Sequence, residues 1–175
     1  MQPPAHHVFL LLASTAALQL SEPPKRFPVL SQLQGRWQGS MRYATGEALA
    51  EAPFTLTGSM TVTVDDSRCV IESSVVLPGG KERTVRMEAD ADAAETAGCL
   101  RFTGSGPIDA LVSEIADDTV LLREVERETG RQVMSASMQL RSGEIHQVAH
   151  ELSQANSTAA QVTGIQMWTF VPEVE

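Results

Sequence analysis

Cysteine is scarce in this chain. Of 175 residues only Cys69 and Cys99 carry a thiol, and neither sits in a CxxC pair. That excludes a scaffold built from disulfides. One bridge between them and two separate thiols both remain open, because the Cα separation a disulfide needs is not written in a sequence. Positive charge is also short, with 13 Lys and Arg against 22 Asp and Glu and a net charge of −9. Nucleic-acid binding displaces counterions with a basic surface, and a chain this acidic excludes that class. The same shortage argues against a peripheral role on anionic lipid. Aromatics make up 5% of the residues, too few for a sugar-stacking or base-stacking face. No Gly-x-Ser-x-Gly elbow marks a catalytic serine. No apolar run reaches the roughly 20 residues that span a bilayer.

The longest apolar stretch, Val8 to Leu20, has the length of a signal-peptide core and contains a small-x-small site at Ser14-Thr15-Ala16. His6 and His7 stand where Lys or Arg is usual. Residues 1–20 are therefore expected to be a targeting segment that is removed. The alternative is a helix that stays and packs on the domain. With no second long apolar run, the mature form is expected to lack a membrane span. Residues 21–34 read as a linker, through Pro23-Pro24 and Pro28, followed by a short helical turn at Val29–Leu33 that plugs the fold.

From Gly35 onward the pattern changes to a period of two. Phe54, Leu56, Gly58, Met60, Val62 and Val64 alternate with Thr55, Thr57, Ser59, Thr61 and Thr63. That is a strand with one apolar face and one hydroxyl face. Comparable segments are Trp37–Ala44, Cys69–Leu77, Arg83–Ala89, Cys99–Thr103, Ala110–Ile115, Thr119–Glu126, Val133–Arg141, Ile145–Leu152 and Val162–Val171. Turn signals separate them, including Asp65-Asp66-Ser67, Pro78-Gly79-Gly80, Thr129-Gly130 and Ser142-Gly143. Ala89 to Ala97 could form a helix, but its apolar residues are alanines that bury little, so it reads as a polar loop, as does Gln154 to Ala160. The expected fold is all-β: a single antiparallel up-and-down β-barrel of about 8–10 strands over residues 35–172, with a short N-terminal helical turn. Closure is favoured over a sandwich because it removes exposed edges and suits short sequential connections.

Gly35-Arg36-Trp37-Gln38-Gly39, followed by Arg42-Tyr43, resembles the opening of the calycin superfamily of lipocalins and fatty-acid-binding proteins. The tail Thr163-Gly164-Ile165-Gln166-Met167-Trp168-Thr169-Phe170 resembles its closing strand, and Leu122 to Glu126 with Leu140 to Ile145 its late hairpins. Within that superfamily the layout is similar to the S-type phycobiliprotein chromophore lyases of photosynthetic organisms, which handle bilins. That resemblance implies a small-molecule site inside the barrel. It is also compatible with a plastid destination, beside the secretory pathway, for the N-terminal segment. Those lyases carry arginines on a late strand and tail, whereas no arginine follows Arg141 here. Nitrobindin-like haem barrels use a late histidine, and none follows His150.

The side chains refine these expectations. Arg42, Arg83, Arg86, Arg101 and Arg123 lie on expected strands, where alternate residues point inward. An internal guanidinium needs a carboxylate mate, such as a fatty-acid head group or a tetrapyrrole propionate. Surface pairing with glutamates is the competing account. Arg42, Arg86 and Arg101 are the arginines expected to meet a ligand, Arg42 first. Met60, Met138 and Trp168 are expected to line an apolar pocket, although methionine is equally ordinary core filler. Gly35, Trp37 and Gly39 are expected to be structural, with Trp37 across the barrel floor. His146 and His150 are spaced too widely on a strand to clamp one ion, and no metal site is expected. Glu124, Glu126 and Glu128, alternating with Arg123 and Arg127, read as a strand entering an exposed turn rather than as an acid–base pair. No catalytic residue is expected.

The function expected is non-covalent carriage or presentation of a small hydrophobic, acid-bearing molecule, a bilin among the candidates, with no cofactor required. A bilin lyase-like enzyme is the first alternative. A ligand-free scaffold that meets a protein partner is the second.

Overall fold

A computed structural model describes residues 27–45, 54–65, 67–90, 99–153 and 161–174. The expected targeting segment, most of the polar stretch at 89–97 and the loop at 154–160 lie outside the described residues.

One helical turn, α1 (Pro28–Gln32), precedes ten strands: β1 (Gly35–Thr45), β2 (Phe54–Val64), β3 (Arg68–Val76), β4 (Glu82–Asp90), β5 (Cys99–Gly104), β6 (Ile108–Ala116), β7 (Thr119–Glu126), β8 (Gln132–Arg141), β9 (Glu144–Ser153) and β10 (Gln161–Pro172). These are the strands expected from the alternation, with ends shifted by one or two residues. Each pairs antiparallel with the next, and β10 returns beside β1 to close the barrel. The connection from β8 to β9 shows why so short a link suffices. Arg141 pairs with Glu144, and the two residues between them, Ser142 (φ 52°) and Gly143 (φ 81°), are both left-handed. Two such residues form the turn whose twist matches a hairpin.

Alternation along each strand sorts the side chains. On β1, Trp37 and Met41 are buried while Gln38, Ser40 and Arg42 are exposed. On β2, Leu56, Met60 and Val62 are buried. Leu100 and Phe102 on β5, Ala110 and Val112 on β6, Ala136 and Met138 on β8, and Ile145 and Ala149 on β9 continue the inner face.

One end of the barrel is closed by α1. Val29, Leu30 and Leu33 are each 2% exposed and pack with Trp37, Val62, Cys69, Leu100, Val120 and Ile145. The Trp37 indole donates to the Leu33 carbonyl at 2.8 Å, which ties β1 to the end of α1. The Leu30 amide would be an orphan donor at the start of so short a helix. It donates instead to Glu114 Oε1 on β6, at 2.8 Å. Pro28 at the first helical position loses nothing by lacking an N–H there.

A close backbone approach explains Gly39. Gly39 pairs with Gly58 on one side and Phe170 on the other. A Cβ at Gly39 would lie 2.4 Å from the Phe170 ring, and one at Gly58 would lie 2.8 Å from the Trp168 ring. The two rings stack with centroids 4.9 Å apart and an interplanar angle of 9°. They therefore lie over a glycine pair and fill the volume that side chains would otherwise take.

Cys69 and Cys99 are free, which decides the open alternative in favour of separate thiols. Cys69 is on the buried face of β3, and Cys99 alternates with the inward Leu100. Burial, with Asp65 and Glu114 adding to it, pushes the Cys69 thiol up to about 12, so it stays protonated and inert.

Replacing Glu114 with Ala removes the acceptor that caps α1. We expect a loss of about 1 kcal/mol in urea unfolding. Glu114→Gln keeps an acceptor and should lose less. Equal losses in the two variants would show that the capping bond is not what matters.

Candidate functional site

The end opposite α1 has a different chemistry. Inward positions of β1, β7, β9 and β10 here carry Tyr43, Glu124, Glu151 and Gln166, all half-buried. The register brings them together. Glu124 pairs with Met134, Met134 with Glu151, and Glu151 with Gly164, forming one row across four strands. In the adjoining row, Ala149 pairs with Gln166 and Gln166 with Tyr43.

Three hydrogen bonds organise this strip. Tyr43 Oη donates to Glu151 Oε2 at 2.8 Å. Gln166 Nε2 donates to Glu151 Oε1 at 2.7 Å. Trp168 Nε1 donates to Gln166 Oε1 at 3.3 Å. Each oxygen of the Glu151 carboxylate thus receives a donor, which offsets the cost of setting a charge inside the wall. Gly164 makes room for it: a Cβ there would lie 2.8 Å from Glu151 Oε2 and 3.1 Å from Tyr43 Oη.

Glu124 is treated differently. Among the described residues it accepts no hydrogen bond and closes no ion pair. Desolvation by burial raises its pKa above the ordinary carboxylate value, Arg83 works against that rise, and Glu151 adds to it. Arg83 on β4 shares the inward parity of the half-buried Met87 and the buried Ala89, and it is exposed. The wall is thin beside it. β4 and β5 pair only at Met87↔Gly104 and Glu88↔Thr103 among the described residues, whereas β3 and β4 pair at nine positions. Val85 has inward parity too and is still 40% exposed. The open end therefore has a notch at the first half of β4.

The expected ligand residues divide by parity. Met60 and Met138 lie on the inner wall and are buried, and Trp168 is half-buried on that wall above Phe170. Arg42, Arg86 and Arg101, named above for a ligand, lie at outward positions of their strands, where the competing account of surface pairing puts them. Arg42 is exposed because Met41 and Trp37 hold the other parity inside. Arg86 pairs with Glu72 across the outer face, at 3.3 Å. Arg101 lies outward between Leu100 and Phe102 and contacts Asp109 Oδ2 at 3.0 Å. Arg127 Nε donates to Asp109 Oδ1 at 2.9 Å, and Arg127 Nη2 to the Gly104 carbonyl at 2.9 Å. This cluster stitches β5 and β6 to the β7–β8 turn. Burial pushes the Asp109 pKa up, but the hydrogen bonds and charges of Arg127 and Arg101 outweigh it and the net shift is downward. Arg101 is thus a structural partner on the outer wall.

His146 and His150 have outward parity, and His146 Nε2 lies 3.3 Å from Glu144. Among the described residues no group of His, Cys, Asp and Glu side chains is arranged to hold a metal ion. No helix among them is long and apolar enough to cross a membrane.

Tyr43, Glu124, Glu151 and Gln166 were missed as a site. Parity could have found them. Tyr43 is in step with Trp37, Glu151 with Ile145, Gln166 with Trp168, and Glu124 with Val120.

A closed ten-strand antiparallel barrel with a helical plug is a calycin-like fold. Solved structures share it. Rv2717c of M. tuberculosis is 13% identical with a TM-score of 0.57, covering 88% of this chain and 100% of that one. A Nostoc punctiforme protein with unknown function from the DUF3598 family is 14% identical with a TM-score of 0.58, over 81% of this chain and 48% of that one. The S-type phycobiliprotein lyase CPES of Guillardia theta is 9% identical with a TM-score of 0.53, over 83% of this chain and 91% of that one. No protein-family model and no curated protein matches the sequence. Likeness at these identities concerns the fold.

Glu124 makes a pH prediction. Its folded pKa is raised, so at pH values between the unfolded and the folded pKa the native state holds a proton that the unfolded chain has released. Its contribution to stability is full below the unfolded value, about 4.3 for Glu, and is lost as pH rises through the folded value. Glu124→Gln should therefore be more stable than the parent at pH 7.5, with the difference vanishing near pH 4. Urea unfolding at both pH values measures this. A variant less stable than the parent at pH 7.5 would contradict the assignment.

Proposed function

We propose that this barrel binds a small, mostly apolar molecule through its open end and carries or presents it without covalent chemistry. The observation that carries this reading is the hydrogen-bonded polar strip Tyr43–Glu151–Gln166–Trp168 set in a mostly apolar inner wall. A few converging polar groups in an apolar concavity orient a guest, while the apolar lining supplies the driving force. Gln147 supports it. It lies on the inner parity of β9 between the fully buried Ile145 and Ala149, yet is itself half-buried. Water therefore reaches it along the wall.

With Arg42, Arg86 and Arg101 on the outer face, an acid group on the guest has Arg83 as its one inward arginine on these strands. A linear tetrapyrrole is the specific guest to try first. Its rings suit the apolar wall, its N–H groups suit carboxylate acceptors, and its propionates can reach the rim at Arg83. The fold likeness to a phycobiliprotein lyase is compatible with that choice.

Fluorescence titration with 1-aminoanthracene, a neutral apolar probe, tests the reading. Saturable one-to-one binding is expected, with energy transfer from tryptophan that falls in Trp168→Phe. Gln147→Trp should fill the space and weaken binding about tenfold, which corresponds to about 1.4 kcal/mol. Biliverdin should compete. No saturable binding, or binding untouched by Gln147→Trp, would remove the proposal.

A further inference from the structure

We infer that Glu124 is the polar anchor of the guest, and that the barrel selects an apolar molecule whose polar end is a protonated amine or a similar N–H donor over one ending in a carboxylate. The inference rests on the barrel holding a guest at all, and it goes further by naming the chemistry of the guest's polar end.

Both carboxylates of the strip face inward, but they are not equivalent. Glu151 is saturated, with Tyr43 on one oxygen and Gln166 on the other. Its role is to fix the strip. Glu124 sits two strands away in the same row and has no hydrogen-bond donor among the described residues. Its carboxylate is half-buried and still reached by solvent, so a donor supplied from outside can take the place of water there. The charges that face it come from each strand around it. Arg83 approaches from β4 across the notch, and Glu151 from β9. Tyr43 on β1 is occupied by Glu151. Glu126, next along β7 toward the rim, is engaged by Arg131 and Thr129. The inward formal charge of Glu124, Glu151 and Arg83 is therefore negative. A second carboxylate brought by a ligand would meet two of its own sign, and Arg83 is exposed enough to be screened by water. An ammonium or pyrrole-type N–H would give Glu124 the charge-assisted bond it lacks.

The test compares three probes with the same chain: dodecylamine, dodecanol and laurate, each below its micelle concentration, by displacement of 1-aminoanthracene at pH 7.5. The amine should bind at least about tenfold tighter than laurate, the size expected for one hydrogen bond to a charged group. Dodecanol should fall between them. Acidification that protonates Glu124 should erase the amine's advantage in the parent protein, which needs no variant. Glu124→Gln should bring the three probes to within about threefold of one another. Laurate binding as tightly as the amine, or an amine preference that survives Glu124→Gln, would overturn the inference and leave the guest-binding barrel standing. Failure of all three, dodecanol included, would overturn both.

Discussion

Closure between β1 and β10 is the constraint on which everything else rests. Nine cross-strand partners, from Trp37↔Pro172 to Thr45↔Gly164, join the two ends of the meander. Because side chains alternate, a slip of one residue in that seam would turn every inward group of β10 outward. Phe170 would leave Gly39, Trp168 would leave Gly58, and Gln166 would lose Glu151. The stacked rings over the glycine pair oppose such a slip sterically, and the bonds to Glu151 oppose it by charge. The register is held at both ends of the seam, by shape toward the floor and by hydrogen bonding at the mouth.

The two ends of the barrel divide the work of stability and function. The floor is apolar and sealed. Glu114, an inward carboxylate there, accepts from the Leu30 amide. The mouth keeps polar groups inside the wall, which costs desolvation unless they are paired. Glu151 is paired and Glu124 is not. That difference marks where a rule of good packing is broken, and broken rules are the expected signature of a site rather than of a core. The short pairing between β4 and β5 adds a second departure in the same region, by leaving the first half of β4 without a ladder partner on its β5 side among the described residues.

Most of the architecture was legible in the sequence. The period of two from Phe54 to Val64, and the turn pairs at Gly79-Gly80, Gly130 and Ser142-Gly143, carry local information that survives into the fold. The inner polar strip was less legible because it is a property of register. Nothing local joins Glu124 to Glu151, or Tyr43 to Gln166; only the pairing of β7 through β10 and back to β1 does. The arginines were ambiguous for a related reason. Residue type allowed both an acid-binding interior and surface pairing, and the inward neighbours Met41, Met87 and Phe102 fix the parity that sends Arg42, Arg86 and Arg101 outward. Glu124 was set aside because charges of both signs flank it, although its step with Val120 and Leu122 placed it on the inner face.

The central claim is that the inner wall, and not the outer, receives a guest. The methionines distinguish the two, since Met41, Met60 and Met138 are buried inside and Met167 is 41% exposed outside. Carbon-13 labelling of the methionine methyls, with nuclear Overhauser contacts measured to a bound dodecanol chain, reads the location directly. The account predicts contacts at Met41 and Met138 and none at Met167. Contacts confined to Met167, with the inner methyls unmoved, would contradict it.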